Sequence, residues 1–166
     1  MEDVDDQPLV SGTIDALYRT EFPRLVRSLS VVDGPEAAAD AVQEAFIAAD
    51  RRWRKVSRMD DPVGWIRRAA VNRLLNGRRN TRRRAELLAG VRPVVVDDLD
   101  PLDLDLLAAI RALPTQQRLV ICLHHLGGYR VDDVAADLGI APGTVKSHLH
   151  DARRALRAHL EVTDDA

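Results

Sequence analysis

The sequence predicts an all-α protein: two small helical domains joined by an acidic flexible linker, the second containing a helix-turn-helix. Three observations carry this. Apolar residues recur at steps of three and four along most of the chain, and no strand-like alternation supports a sheet. Ala, Leu and Arg are abundant while aromatic residues make up 4%, a composition that favours helices. Between residues 91 and 105 the pattern breaks into RPVVVDDLDPLDLD (from Arg92), with two prolines and five aspartates. The expected units are therefore residues 10–90, a linker at 91–105, and residues 106–162.

The first ten residues carry no helical pattern and are expected to be disordered. From Ile14 to Leu29, the residues Ile14, Leu17, Tyr18, Leu25 and Leu29 predict a helix, with Pro23 bending or interrupting it. Asp33-Gly34-Pro35 is a turn that opens the next helix, whose stripe is Ala38, Val42, Ala45, Phe46, Ala49 and Trp53. Asp40, Gln43, Glu44 and Ile47 lie off that stripe, as a solvated face or an interaction patch. A polar loop from Lys55 ends at Asp61-Pro62, a helix start, and the third helix runs past Arg79. On one side of it lie Trp65, Arg68, Ala69, Asn72, Asn76 and Arg79. An indole, amides and guanidiniums together suit nucleic acid: Trp stacks on an unpaired base, Asn reads a base edge and Arg holds phosphate. The same spacing also allows Trp65 to pack in a core. Gly77 weakens this helix before the basic run Arg78 to Arg84.

The three valines at 94–96 are the one strand-like stretch of the linker. Beyond it, Leu104, Leu107, Ala108 and Leu113 predict a helix. Pro114 begins another, with Leu119, Val120, Leu123 and Leu126, closed by Gly127-Gly128. Val131 to Arg157 then reads as two short helices joined by a tight turn. Val131, Val134, Ala135 and Leu138 share one face, Gly139 provides the helix stop, and Pro142 suits a first helical turn. In the second helix Val145, Leu149, Ala152 and Leu156 face inward. Thr144, Lys146, Ser147, His148, Asp151 and Arg154 point outward, the arrangement that enters a DNA major groove. The terminal EVTDDA is expected to fray.

Net charge is −2, but the charges are segregated. Residues 51–92 hold 14 Lys and Arg against three acids, whereas residues 1–50 hold three Arg against 11 acids. A basic surface facing phosphate and acidic surfaces facing another partner follow from that division. No apolar run approaches the roughly 20 residues of a membrane span, and the acidic amino terminus is neither a signal peptide nor a basic anchor. Cys122 is the single cysteine, so no internal disulfide can form. A cytoplasmic protein is expected.

Taken in order, these segments resemble the bacterial RNA polymerase sigma factors of the compact extracytoplasmic-function class. ADAVQEAF (Ala39 to Phe46) is similar to the helix that docks on the polymerase clamp. GWIRRAAVNRLLNGRR (Gly64 to Arg79) is similar to the helix that melts and reads the minus-ten element. Residues Leu113 to Leu156 are similar to the domain that reads the minus-thirty-five element. The resemblance implies that Asp40, Gln43 and Glu44 contact core polymerase. It implies that Arg58, Trp65, Arg68, Asn72, Asn76 and Arg79 serve the minus-ten DNA. It assigns Thr144, Lys146, Ser147, His148 and Arg154 to the upstream element. Core RNA polymerase and promoter DNA are the implied partners; such factors are commonly held by an anti-sigma protein, which no residue here marks. No catalytic residue, metal or cofactor is implied, since opening DNA requires binding unpaired bases rather than bond chemistry.

The sequence departs from the family pattern at Ala39, Ala69 and Ala141, the last standing where a capping Ser or Thr is common. Arg is usual where His148 and Asp151 stand, so weak or unusual upstream recognition is expected. Two other readings compete. A helix-turn-helix repressor or activator acting without core polymerase would need dimerisation, for which no helix is evident. An enzyme using Cys122, His124 and His125 would need adjacent residues on one helix to converge, which helical geometry opposes.

Overall fold

The computed structural model describes residues 13–87 and 101–164, with side chains over 13–79 and 104–161. The expectations for the first ten residues and for the valine stretch at 94–96 lie outside these. The described residues form eight α-helices and one π-turn, with no strand among them.

Helix α1 (Ile14–Asp33) runs unbroken through Pro23, where a bend or interruption was expected. Proline removes one helical hydrogen bond. Phe22, Leu25, Val26 and Leu29 pack against the core on both sides of it, and that burial keeps the helix continuous. Gly34 ends α1, and Pro35 starts α2 (Pro35–Asp50), which buries Ala38, Ala41, Val42, Ala45, Phe46 and Ala49. The short α3 (Trp53–Val56) leads to a turn containing Arg58.

Helix α4 (Pro62–Leu87) is the expected third helix, and its entry is built from three residues. The Gly64 amide donates to Asp61 Oδ1 at 2.8 Å, which makes Asp61 a side-chain cap. A Cβ on Gly64 would lie 2.1 Å from Asp61 Oδ2, so only glycine lets that cap close. Ile66, Ala70, Val71 and Leu74 then pack α4 against α1 and α2. Burying each large apolar side chain contributes about 1.5–3 kcal/mol.

The second half begins with α5 (Pro101–Ala112), which starts inside the stretch expected as linker; residues 101–105 are helical. Ala109, Ile110 and Leu113 are buried, and the helix that their packing anchors extends back into that stretch. Helix α6 (Thr115–Ile121) continues into a π-turn, Cys122–Leu126, before Gly127. Helix α7 (Val131–Leu138) ends at Gly139 in the left-handed conformation, φ +64°, its amide bonding to the Ala135 carbonyl. Helix α8 (Pro142–Asp164) follows and stays helical to Asp164, through most of the segment expected to fray.

The two halves pack together. One continuous cluster of buried residues runs from Leu25 and Val42 in the first to Leu119, Val134 and Leu149 in the second. Helices α1 and α4 supply the first half's side of the boundary; α5, α6, the π-turn and α7 supply the other. Among the described residues no helix is long and apolar enough to cross a membrane.

Candidate nucleic-acid and polymerase interfaces

Three surfaces collect the residues singled out from the sequence. On α2, Asp40, Gln43 and Glu44 are exposed, beside Ile47, which is 43% exposed. Two of them are already oriented. The Tyr18 hydroxyl donates to Gln43 Oε1 at 2.9 Å, and Glu44 lies 3.6 Å from Arg73 Nε. Tyr18 itself stacks on Phe22 at 4.6 Å and meets Phe46 edge-on at 5.0 Å, so an aromatic cluster braces this face from α1. The expected clamp surface is thus a polar row with one apolar residue, backed by a cluster of aromatic rings. Ala39, one of the departures from the family pattern, is half-buried and leaves Asp40 as the acid of that turn.

On α4, Arg68, Asn72, Asn76 and Arg79 are all exposed, at steps of four and three, while Ile66, Ala70, Val71 and Leu74 are buried on the opposite side. Arg58 is exposed in the preceding turn. Trp65 differs: it is half-buried and packs against the core, with part of its indole left accessible. It also lines an open cleft with Ala48, Arg51, Arg52, Ala69 and Arg73. Three arginines lining one cleft with an indole suit a phosphate and the base attached to it. Arg51, Arg52 and Arg73 were not singled out from sequence. The first two end the α2 period and only their position in the basic half of the chain hinted at them. Ala69 keeps the cleft open, since a larger residue there would fill it.

On α8, Val145, Leu149 and Ala152 are buried and Leu156 half-buried. Thr144, Lys146, Ser147 and Arg154 are exposed, whereas His148 and Asp151 are half-buried at the margin of that face. His150 is exposed and falls between Ser147 and Arg154 at steps of three and four, a position the sequence reading passed over. Asp151 Oδ1 lies 3.7 Å from Arg154 Nη2, so an acid already occupies part of that guanidinium. Ala141 precedes α8 with no side chain able to cap it; its carbonyl accepts from Thr144 and Val145 at 2.9 and 3.2 Å.

The Cys122, His124 and His125 trio does not converge. Cys122 is buried, and burial pushes its thiol up to about 12, leaving it protonated and unreactive near neutrality. The His124 ring meets the Tyr129 carbonyl through Nδ1 at 2.8 Å, and His125 Nε2 lies 3.1 Å from Arg153 Nη2. Burial, His124 and Arg153 all lower the pKa of His125, which keeps it neutral and able to accept that bond.

A different constellation, absent from the sequence reading, joins the two halves. Arg67 of α4 and Asp137 of α7 form a bidentate ion pair, Nη2 to Oδ1 at 3.1 Å and Nε to Oδ2, with side chains only 4% and 1% exposed. The Arg67 guanidinium lies 4.5 Å from the Tyr129 ring centroid and that of Arg24 lies 4.1 Å from it. The Tyr129 hydroxyl donates to Glu21 Oε2 at 3.1 Å, and Arg24 donates to the Gly127 and Gly128 carbonyls. Arg118 of α6 reaches back to the Val32 carbonyl at 3.1 Å.

Comparison with known proteins places both halves. The sigma-70 region 2 family matches residues 17–84 and the sigma-70 region 4 family matches residues 103–156. The chain is 33% identical over 158 residues to the ECF RNA polymerase sigma factor SigL of Mycobacterium tuberculosis, covering 88% of each. It is 32% identical over 159 residues to the ECF RNA polymerase sigma factor SigE of Mycolicibacterium smegmatis, covering 88% of this chain and 61% of that protein. In fold it is similar to the sigma factor RpoE of Bartonella quintana, solved in complex with the anti-sigma factor NepR. That likeness has a TM-score of 0.72 at 24% identity, over 89% of this chain and 96% of the other. CnrH, solved in complex with the cytosolic domain of CnrY, matches with a TM-score of 0.65 at 22% identity, over 90% and 88% of the two chains.

Proposed function

The chain belongs to the extracytoplasmic-function class of RNA polymerase sigma factors, and from that premise we propose how its surfaces divide the work. It is an alternative sigma factor, a transcription initiation factor whose partners are core RNA polymerase and promoter DNA. Residues 10–90 form the unit that docks on polymerase and handles the minus-ten element. Residues 106–162 form the unit that reads the minus-thirty-five element. Asp40, Gln43 and Glu44 meet the clamp of the polymerase, with Ile47 adding apolar contact.

Arg58, Arg68 and Arg79 hold phosphates of the minus-ten strand, while Asn72 and Asn76 present amides to base edges and Trp65 offers a stacking surface. Stacking of about 1–3 kcal/mol per base biases local melting when several contacts act together. The protein thus works by binding and not as an enzyme, in the cytoplasm with its polymerase. Upstream, Thr144, Lys146, Ser147, His148 and Arg154 of α8 enter the major groove. An anti-sigma protein is the regulatory partner this class of fold suits.

The exposed row Arg68, Asn72, Asn76 and Arg79 carries this reading, because a plain helix-turn-helix regulator has no use for it. Run-off transcription with core polymerase over a library of genomic promoters tests it: specific initiation is expected. Folded protein that neither co-purifies with core polymerase nor supports initiation would return the chain to the regulator class.

A further inference from the structure

We propose that Arg73 is a further phosphate-holding residue beside the minus-ten row, and that Glu44 of the polymerase-facing row controls its release to the strand. The proposal rests on the division of surfaces argued above. Two open clefts lie between α2 and α4, and Arg73 lines both. One, of about 280 Å³, is basic: Arg51 and Arg52 line it together with Trp65 and Ala69. The other, of about 260 Å³, is acidic: Asp33, Asp40 and Glu44 line it together with Gly77. Arg73 follows Asn72 directly and stands three residues before Asn76, so it borders the exposed row of α4 on the side nearest α2. One guanidinium thus stands between a carboxylate assigned to polymerase and a cleft suited to phosphate.

In the free chain Arg73 is held on the acidic side. Its Nε lies 3.6 Å from Glu44 Oε2, and its Nη1 donates to the Ala69 carbonyl at 3.2 Å. The like charges of Arg51 and Arg52 disfavour its entry into the basic cleft. A strand phosphate seated against Arg51 and Arg52 reverses that preference, but it needs the same guanidinium fork that faces Glu44. A cationic group of the polymerase that pairs with Glu44 removes the competitor, and Arg73 then completes the phosphate site. The coupling is reciprocal, so a bound strand frees Glu44 for polymerase by the same factor. Its size is bounded by exposure. Arg73 and Glu44 are 33% and 67% exposed, and so open a pair is worth a factor of about two to five. Such a contact is weak enough to be exchanged.

The test binds the full chain to a fluorescently labelled oligothymidylate, a single strand without promoter sequence, and follows anisotropy over a salt series. Arg73→Met should weaken binding and lower the slope of log affinity against log salt by about 0.7, the share of one phosphate on a single strand. Glu44→Gln should strengthen binding, and the gain should be about two- to five-fold larger with Arg73 present than in the Arg73→Met background. An equal gain in both backgrounds reduces Glu44 to a general repulsive charge and overturns its control of Arg73. No binding by the wild-type chain, or an unchanged salt slope in Arg73→Met, overturns the phosphate site. Should Arg73→Met lose helicity, Arg73→Gln takes its place, since its amide retains a donor for the Ala69 carbonyl. Core-polymerase affinity supplies a readout that a merely structural arginine would not move. Arg73→Met removes the cation that competes for Glu44 and should bind core polymerase about two- to five-fold more tightly than wild type. Unchanged or weaker binding overturns the exchange. Failure of the wild-type chain to bind core polymerase at all counts against the sigma reading, whereas the oligonucleotide measurements judge the Arg73–Glu44 coupling without polymerase.

Discussion

The Arg67 guanidinium and the Asp137 carboxylate, 70 residues apart in sequence, meet as a bidentate pair sealed from water between α4 and α7. Burial raises the Asp137 pKa, and Asp133 adds to this; the hydrogen bond and charge of Arg67, with a smaller share from Arg68, act against it. Replacing Arg67 with Met removes the main offset and moves Asp137 higher still. A carboxyl raised in the folded state stabilises most below its unfolded value and loses that contribution as pH rises through the folded one. Arg67→Met should therefore gain thermal stability as pH falls from neutrality toward the ordinary carboxylate range, more steeply than wild type. Equal slopes for the two proteins would show that Asp137 does not depend on Arg67.

The entry to α4 offers a local test. Asp61→Ala removes the carboxylate that accepts from the Gly64 amide and should cost about 1 kcal/mol. Gly64→Ala should cost a similar amount for a steric reason, since its Cβ would displace the same carboxylate. Because both act on one bond, the double variant should lose little more than either alone. Chemical denaturation of the three variants measures this; full additivity would mean that the two residues act separately.

What the sequence disclosed divides along range of interaction. Helix positions, the Asp61-Pro62 start, the Gly139 stop and the outward residues of α8 depend on spacing within one element, and local periodicity records them. The continuity of α1 through Pro23 depends on what Phe22 and Leu25 pack against, which spacing does not record. The same holds for Tyr129, Arg24, Arg67 and Asp137. Each looks like an ordinary polar residue until the two halves meet, and nothing in a single sequence pairs residues so far apart. Arg51 and Arg52 join the Trp65 cleft only because α2 ends beside the first turns of α4.

Asn72 gives a cleaner probe of minus-ten reading than Trp65. Its side chain is exposed, whereas Trp65 also packs against the core. Asn72→Ala should leave thermal stability and core-polymerase binding nearly unchanged while slowing open-complex formation. An amide reading a base edge is worth about 1–3 kcal/mol, so the rate should fall roughly ten-fold or more. Trp65→Ala should show the same defect together with lost stability. If Asn72→Ala binds and opens like wild type, the α4 face is a solvated surface there.

The upstream surface should respond in the opposite direction, by gain. Asp151 places a carboxylate 3.7 Å from the Arg154 guanidinium, a negative charge at the margin of the face proposed to meet phosphate. Asp151→Arg removes that repulsion, releases Arg154 and adds a cation; His148→Arg adds a second at the margin of the same face. A duplex carrying the upstream element should bind the double variant more tightly, and the slope of log affinity against log salt should steepen by roughly 0.9 for each new phosphate contact. Asp151→Asn separates the two causes. It keeps the side chain's size, adds no cation, and should raise affinity with less change in slope than Asp151→Arg. Unchanged affinity and slope in all three would place α8 away from DNA, because a helix seated in the major groove cannot exchange an acid for a base beside phosphate without a change in salt response.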